Sequence, residues 1–569
     1  MTDPKTSPAQ PRRREALQWA FGLTAGSALL PLASCGGSSS TEDTLPEPQV
    51  LTAANGRLEL TLNVQFASQP LDIAKQQPAA YPGKATRMQT TLRTFNGRYM
   101  APTLVLSQGD TLRILLNNQL PANTRQTAVN YLNYQNSTNL HFHGLHVDPG
   151  IIRPGVYGDY VVDTPEAGVR PGQSRQHELK IPANHTNGIY WYHPHLHGSS
   201  NVQVSSGMFG AILIRDPADR FITSPDIRER VIHVHKLNLN KDGRTDSFKG
   251  SVEDPPSAFL LNGAYQPTIV MRPGEVQNWH LVNTAAFFPF NPVLDGHTLW
   301  GYAKDGNVYD RQFKAMHAGN AAQFDDAHWP GNALYPGNRH SLLVKASDTP
   351  GVYYLRSVAS PSSDGEEEIV ARVVVEGQPM NTPLPSPQNL PRYEDHRPIT
   401  DEELAENGGK QRNLVLAVLN KDDERVMSPI PDGEEWVLPE EEGLMPNFVF
   451  AAGDVGTKLV PFQSSLATTQ MVALNAVEEW TIHSLNAYPH PFHIHVNDSY
   501  VVKVNGQPVT PFWTDTIPIA VKGSVTFRMR FTDFAGDFVW HCHALDHEDL
   551  GMMQLVKVVG KPSEAATQS

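Results

Sequence analysis

Near the C-terminus, Trp540-His541-Cys542-His543-Ala544-Leu545-Asp546-His547-Glu548-Asp549-Leu550-Gly551-Met552 places three imidazoles, a thiol and a thioether within a dozen residues. Preceded by Gly536-Asp537-Phe538-Val539, it reads as a β-strand running into a loop. Side chains alternate along a strand, so His541 and His543 face one way and Cys542 the other. A thiolate with two imidazoles and a weak axial thioether makes a trigonal blue-copper site. His547 and Met552 offer one imidazole and the thioether from the loop. On the opposite face, His541 and His543 need further ligands from elsewhere.

Three other clusters can supply them. Leu140-His141-Phe142-His143-Gly144 and Trp191-Tyr192-His193-Pro194-His195 each carry a His-x-His pair, two imidazoles on one strand face. Tyr488-Pro489-His490-Pro491-Phe492-His493-Ile494-His495 carries the pair His493 and His495. His490 lies an odd number of residues before that pair and can face the other way, toward Cys542. One such pair is commonly solvated or hydrogen-bonded. Four clusters, the last with a cysteine between its histidines, point to copper.

In this order the four segments resemble the copper-binding motifs of multicopper oxidases, and the family's ligand pattern is complete. The resemblance implies a type 1 copper held by His490, Cys542, His547 and Met552, with Met552 preferred to the adjacent Met553 on spacing. It implies a type 2 copper on His141 and His493. A type 3 pair would take His143, His193, His195, His495, His541 and His543, making four ions in all. The expected reaction is one-electron oxidation of a donor at the type 1 site, coupled to four-electron reduction of O2 to water. Electrons would pass from Cys542 to the flanking His541 and His543. Glu548 matches a proton-supplying carboxylate of bacterial relatives, or else hydrogen-bonds a ligand histidine. Asp148 is a second candidate acid.

The chain has 569 residues, 40% of them hydrophobic, with 46 Pro and 42 Gly, as expected of many short strands joined by turns. A net charge of −14 disfavours nucleic acid as a partner. Arg12-Arg13-Arg14 followed by the apolar stretch Leu17 to Ala33 reads as an export signal over residues 1–34. Arg13-Arg14-Glu15-Ala16-Leu17 resembles a twin-arginine signal, with Ala16 where that pattern prefers a large apolar residue. Leu32-Ala33-Ser34-Cys35 resembles a lipoprotein box, so Cys35 is the expected acylation site; the alternative is simple cleavage near Ala33-Ser34. Only Cys35 and Cys542 exist, one for lipid and one for copper, leaving none for a disulfide. These features describe an exported periplasmic or cell-envelope lipoprotein, membrane-bound only through its N-terminal lipid, and expected to be a monomer.

A partial internal repeat sets the domain count. Phe95-Asn96-Gly97, Pro102, Gly109-Asp110 and Leu115-Leu116-Asn117 recur as Leu261-Asn262-Gly263, Pro267, Gly274-Glu275 and Leu281-Val282-Asn283. A fainter third copy is Val477 to Asn486. Repeats one domain length apart suggest tandem β-sandwiches, and the family implies three cupredoxin-like Greek-key domains in an all-β chain. A tether over 35–50 would precede domains at 51–217, 218–378 and 412–560, with a Pro-rich extended linker at 379–411. The second repeat leads to Phe290 to His297 without a His-x-His, so the middle domain is expected to be a spacer without copper ligands. His233 and His235 in that domain read as surface or core-packing residues. His146 and His197 read as neighbours of ligands, and His317, His328 and His340 receive no role.

The donor is least legible. Phenols and aromatic amines fit a laccase-like enzyme, and Cu(I), Fe(II) or Mn(II) fit a metallo-oxidase. No Met-rich insert favours Cu(I), since Met380, Met427 and Met445 are isolated. The acidic segment 422–442 keeps Fe(II) or Mn(II) open, although such a run is more often a solvated loop. A copper-storage role is the third reading, and the complete ligand set disfavours it.

Overall fold

The computed structural model describes residues 44–560, apart from 78–79, 124–133, 164–167, 246–256, 317–332, 360–366, 421, 427–447, 463–468 and 487. The export signal, Cys35, His317, His328 and most of the acidic segment therefore lie outside the described residues.

Strand periodicity builds the first sandwich as the alternation of Leu58 to Val64 predicts. Arg57–Ile73 is one long strand in which Leu58, Leu62 and Val64 are buried between more exposed neighbours. It lies in a six-stranded sheet, which packs on a five-stranded sheet through Leu62, Phe95, Leu104, Phe142 and Ile212. A second sandwich is built around Trp279, Phe290 and Val373. A third is built around Trp480, Phe527 and Trp540. Neighbouring strands are mostly not consecutive in the chain, for example Thr103–Ser107 beside Gly210–Arg215, which is the Greek-key crossover pattern. The chain is thus all-β, with three tandem cupredoxin-like sandwiches.

The internal repeat has a conformational cause. Asn96 and Gly97 have φ of 54° and 73°, and Asn262 and Gly263 have 49° and 81°. Two successive left-handed residues make the tight turn for which Asn-Gly is the preferred pair.

Residues 45–47, expected in the tether, lie against the middle sandwich, and Gln49 already accepts from the Thr103 N–H of the first. Leu45 is buried in its core and donates its N–H to the Thr268 carbonyl at 2.9 Å. The Pro-rich stretch 379–411 is extended but packed along its length. Leu390 is buried against Phe221 and Tyr302 of the middle sandwich, and Ile399 and Leu404 against Val477 and Tyr500 of the third. It ends in the short helix Asp401–Glu406, whose Thr400 cap accepts the Glu403 N–H.

Glu403 fastens this strap by accepting from Arg530 at 2.7 and 2.8 Å and from Arg397 at 2.6 and 3.1 Å. Arg530, then Arg397, hold its carboxyl down at about 2, against 4.5 when free. A depressed carboxylate stabilises the fold above its unfolded value and loses that contribution as pH falls through its folded value. Glu403→Gln is therefore expected to lower stability near neutral pH by at most about 1 kcal/mol, the range of partly exposed pairs. In denaturant titrations the gap to wild type should shrink below pH 4.5 and close near pH 2. A gap that persists at acid pH would show that the ion pairs are not its source.

Candidate metal centre

Register places the histidines before any long-range packing does. In the first sandwich, the edge strand His141–His143 pairs antiparallel with Gly188–His193, setting His193 opposite His141 and Trp191 opposite His143. Directly opposed residues share a face, so His141, His143 and His193 project together. In the third, His490–Ile494 pairs with Gly536–Cys542, with His493 opposite His541 and Phe492 opposite Cys542. His490 and Cys542 thus share one face, and His493 and His541 share the other.

Two expectations of local structure change here. His195, His495 and His543 each lie just past a strand end, so only His141 and His143 sit within one strand as a pair. The segment after Cys542 is not a loop throughout: Leu545–Asp549 forms one helical turn carrying His547 and Glu548.

On the Cys542 face, Sγ lies 3.5 Å from His490 Nδ1 and 3.6 Å from His547 Nδ1, and the two nitrogens are 3.2 Å apart. His490 Nε2 donates to Asn486 Oδ1 at 3.3 Å, which leaves Nδ1 bare toward the sulfur. Met552 is fully buried in the same apolar cluster as Cys542, and its carbonyl accepts the Cys542 N–H at 3.0 Å. Met553 packs elsewhere, with Val161 and Phe462. Burial pushes the Cys542 thiol up and holds His547 at about 3, so any metal bound here displaces the thiol proton.

On the other face, eight imidazoles from the first and third sandwiches converge, all buried. His143 stacks on His493 and His141 on His495, each at 3.8 Å between ring centres. Three groups of ring nitrogens form: His143, His193 and His543; His195, His495 and His541; and His141 and His493 with His143. His195 Nε2 lies 3.0 Å from His541 Nε2, His495 Nε2 is 3.3 Å from the same atom, and His543 Nε2 is 3.2 Å from His143 Nδ1.

Hydrogen bonds on the outer nitrogens fix the tautomers. Nδ1–H of His193, His493 and His541 donates to the carbonyls of Pro194, Asp515 and Cys542 at 2.9, 2.8 and 3.0 Å. His141 Nδ1 meets Asp159, with both carboxylate oxygens at 3.0 Å. The inward Nε2 atoms of His141, His193 and His493 are buried without a hydrogen-bond partner. One such atom costs about 1–3 kcal/mol, and several aimed at one place fit a metal ion. Nitrogens held about 2.0–2.1 Å from one ion stand about 3.3 Å apart at a tetrahedral angle, close to the spacings observed. Burial first, then neighbouring imidazoles, hold these histidines well below their usual range, so they are neutral and ready to ligate.

Several polar partners carry no local sequence signal. Asp159, buried and pushed up to about 7, meets His141, while Asp148, the second candidate acid, accepts from the Gly150 N–H in a turn. Asp515 and Arg339 form a buried ion pair beside His143 and His493. Leaving one member of such a pair alone costs about 3–5 kcal/mol. Glu548 is buried between ligands, 3.4 Å from His195 Nδ1 and 3.4 Å from His541 Nδ1, and accepts from Ser200 Oγ at 2.8 Å. Burial, then Asp549, drive its carboxyl well up from its ordinary range, which favours the protonated form. Asp549 accepts from Gly198, Ser200 and Asn201 N–H groups, tying the helical turn to the first sandwich.

The remaining histidines have other partners. His233 and His235 pack with Phe209 at the boundary of the first and middle sandwiches, the buried one of the two placements expected of them. His340 meets the Tyr309 hydroxyl, His146 meets Val496 O and Asp533, and His197 bonds the Glu548 backbone. Among the described residues, no metal-ligand grouping includes a side chain of the middle sandwich.

An all-β chain with a buried thiolate–imidazole set on one side of a strand and converging imidazoles on the other defines a copper oxidoreductase. Two models described as multicopper oxidase match residues 79–219 and 445–561. The chain belongs to the multicopper oxidase family. It is 22% identical over 476 residues to a multicopper oxidase of Staphylococcus haemolyticus, covering 82% of this chain and 83% of that one. It is 23% identical over 497 residues to a laccase of Fomitopsis schrenkii, covering 80% and 84%. Its fold matches that of a multicopper oxidase from Campylobacter jejuni described as a metallo-oxidase, with a TM-score of 0.64 and 21% identity over 90% of this chain and 96% of that one.

Proposed function

We propose that the protein is a laccase-like oxidase using one copper at His490, Cys542, His547 and Met552 and three at the eight remaining histidines. The observation that carries this is the single strand whose Cys542 faces one ligand set while His541 and the following His543 join the other. Bound copper supplies the redox chemistry, taking single electrons from a donor and delivering four to O2. The chain's part is to join the two sets by the few covalent bonds from the Cys542 sulfur through the backbone to the flanking imidazoles. Glu548 is placed to pass on protons, one at a time, of the four that O2 reduction consumes, within reach of His195 and His541. Burial excludes bulk water from both sets.

Aromatic surroundings favour an organic donor. His547 is 6% exposed, more than His490 at 0%, so it is the edge a donor can reach. Phe450 and Phe287 pack against its ring at 5.0 and 5.6 Å. Phe287 and Phe288 also line a small cavity with Asp546, and flat apolar walls suit a phenol or aromatic amine. Asp546 favours the second reading, a metallo-oxidase for Cu(I), Fe(II) or Mn(II), because a carboxylate beside the accessible imidazole suits a cation. O2 uptake by the copper-loaded protein, compared across a phenol and the three metal ions, decides between them. Turnover confined to the phenol is expected; faster turnover of a metal ion would overturn the laccase reading. Export, acylation at Cys35 and a monomeric state belong to the same proposal and rest on the sequence alone.

A further inference from the structure

Expected as a spacer, the middle sandwich nevertheless reaches the histidine groups through one turn, Gly337-Asn338-Arg339. Gly337 has φ of +90°, and a Cβ there would lie 3.0 Å from His143 Cε1 and from His543 Cδ2. Arg339, fully buried, follows it at the start of the strand Arg339–Lys345. Its guanidinium sits where the three sandwiches meet. Nε donates to the Ile189 carbonyl of the first at 3.2 Å, and Nη1 to the Gly337 carbonyl at 3.3 Å. Toward the third, Nη1 donates to Asp515 Oδ1 at 2.7 Å and Nη2 lies 2.7 Å from Oδ2.

Asp515 touches one histidine from each ligand-bearing sandwich. Its carbonyl accepts His493 Nδ1–H at 2.8 Å, and its Oδ1 stands 3.4 Å from His143 Nε2. Thr516 Oγ1, which donates to the same Oδ1 at 2.9 Å, is 3.2 Å from His143 Nε2. These two rings are the pair stacked 8° from parallel across the interface. Space for the ion pair is made by Gly144, directly after His143, where a Cβ would overlap both the guanidinium and the Asp515 carboxylate. Asp305 anchors the turn from behind, accepting from the Arg339 N–H at 2.7 Å and from Asn338 Nδ2 at 2.9 Å.

We propose that Arg339 is a positioning residue: supplied by the middle sandwich, it fixes Asp515 and, through it, the relative angle of His143 and His493. The middle sandwich is then part of the metal-binding frame, although it gives no ligand among the described residues. This rests on the copper reading above. An arginine suits the task because its planar fork hydrogen-bonds one carboxylate oxygen while holding positive charge against the other, where a lysine supplies charge without orientation.

The test compares wild type, Arg339→Met and Arg339→Lys after copper loading and dialysis against a chelator. Bound copper per chain, the blue absorption, the electron paramagnetic resonance of the type 2 copper and the melting midpoint are all read. Wild type must show the blue band and the type 2 signal; a wild type that binds no copper contradicts the copper reading itself and is seen before any variant is compared. In Arg339→Met, copper at the histidine groups is expected to be held about tenfold or more weakly, the usual cost of losing an outer partner of a ligand. The blue band should be kept, and Arg339→Lys should fall between the two. Unchanged copper retention and type 2 lines would overturn the inference. So would equal loss of the blue band and histidine-bound copper with a lowered midpoint, the signature of a purely structural ion pair. Should Arg339→Met not fold, the variant with Arg339→Met and Asp515→Asn removes both buried charges together. It must show the same selective loss, and full retention overturns the inference.

Discussion

Replacing Cys542 with Ser is expected to abolish the blue absorption of the copper-loaded protein and to stop donor oxidation. Cys542 is the sole sulfur anion available to the set with His490 and His547, and a hydroxyl is a hard, weakly acidic substitute for a soft thiolate. Loss of an outer partner costs about 10–100-fold in metal affinity or activity, so loss of the ligand itself should exceed that. Cys542 is buried among Phe492, Ala544 and Met552, and Ser is smaller, so the fold should survive with a modest loss of stability. His541 and His543 project to the other face, so copper there should be retained. Absorption spectra, copper content and circular dichroism test this together. A blue band that survives the substitution removes Cys542 from the site.

Replacing Glu548 with Gln is expected to slow O2 consumption by about 10²-fold or more at saturating donor, the lower end of general acid contributions. Gln keeps the shape and can still accept from Ser200 Oγ, but it has no proton to give. The carboxyl is fully buried, and Oε2 has no hydrogen-bond partner while lying 3.4 Å from His541 Nδ1. Its environment thus favours the neutral acid, beside two ligands, where a proton is of use. The blue band and its reduction by donor should be unaffected, since Glu548 is not part of the Cys542 set. Stopped-flow reduction followed by reoxidation separates the two steps. If reoxidation by O2 keeps its wild-type rate, the carboxyl serves only as a hydrogen-bond partner of the ligands, the alternative reading of its position.

The candidate ligands were legible because they cluster in short segments of the chain. Alternation along Gly536–Cys542 separates Cys542 from His541 without reference to the rest of the chain, and four such segments supply ten histidines. The Asn-Gly turns at 96–97 and 262–263 announced the tandem sandwiches in the same way, through a backbone conformation that few other pairs adopt readily. By contrast, the helical turn Leu545–Asp549 was not legible as helix. One turn of five residues has almost no intrinsic stability, and here Asp549 docks on Gly198, Ser200 and Asn201 of the first sandwich.

The sequence by itself thus marked the candidate ligands, the opposite faces taken by Cys542 and His541, and the all-β tandem architecture. Only the tertiary structure decided which imidazoles meet, joining His143 to His543 across 400 residues of chain. It also decided which carboxylates stand beside them: Asp159 on His141, and Asp515 beside His143 and His493. Candidate ligands cluster in short segments because a strand and the residues just past its end aim several of them at one point. Their outer partners need only arrive at the right distance, from any segment that packing brings there. Arg339 arrives from a sandwich that the ligand pattern alone marks as empty, and no spacing within its own segment records the Asp515 it meets.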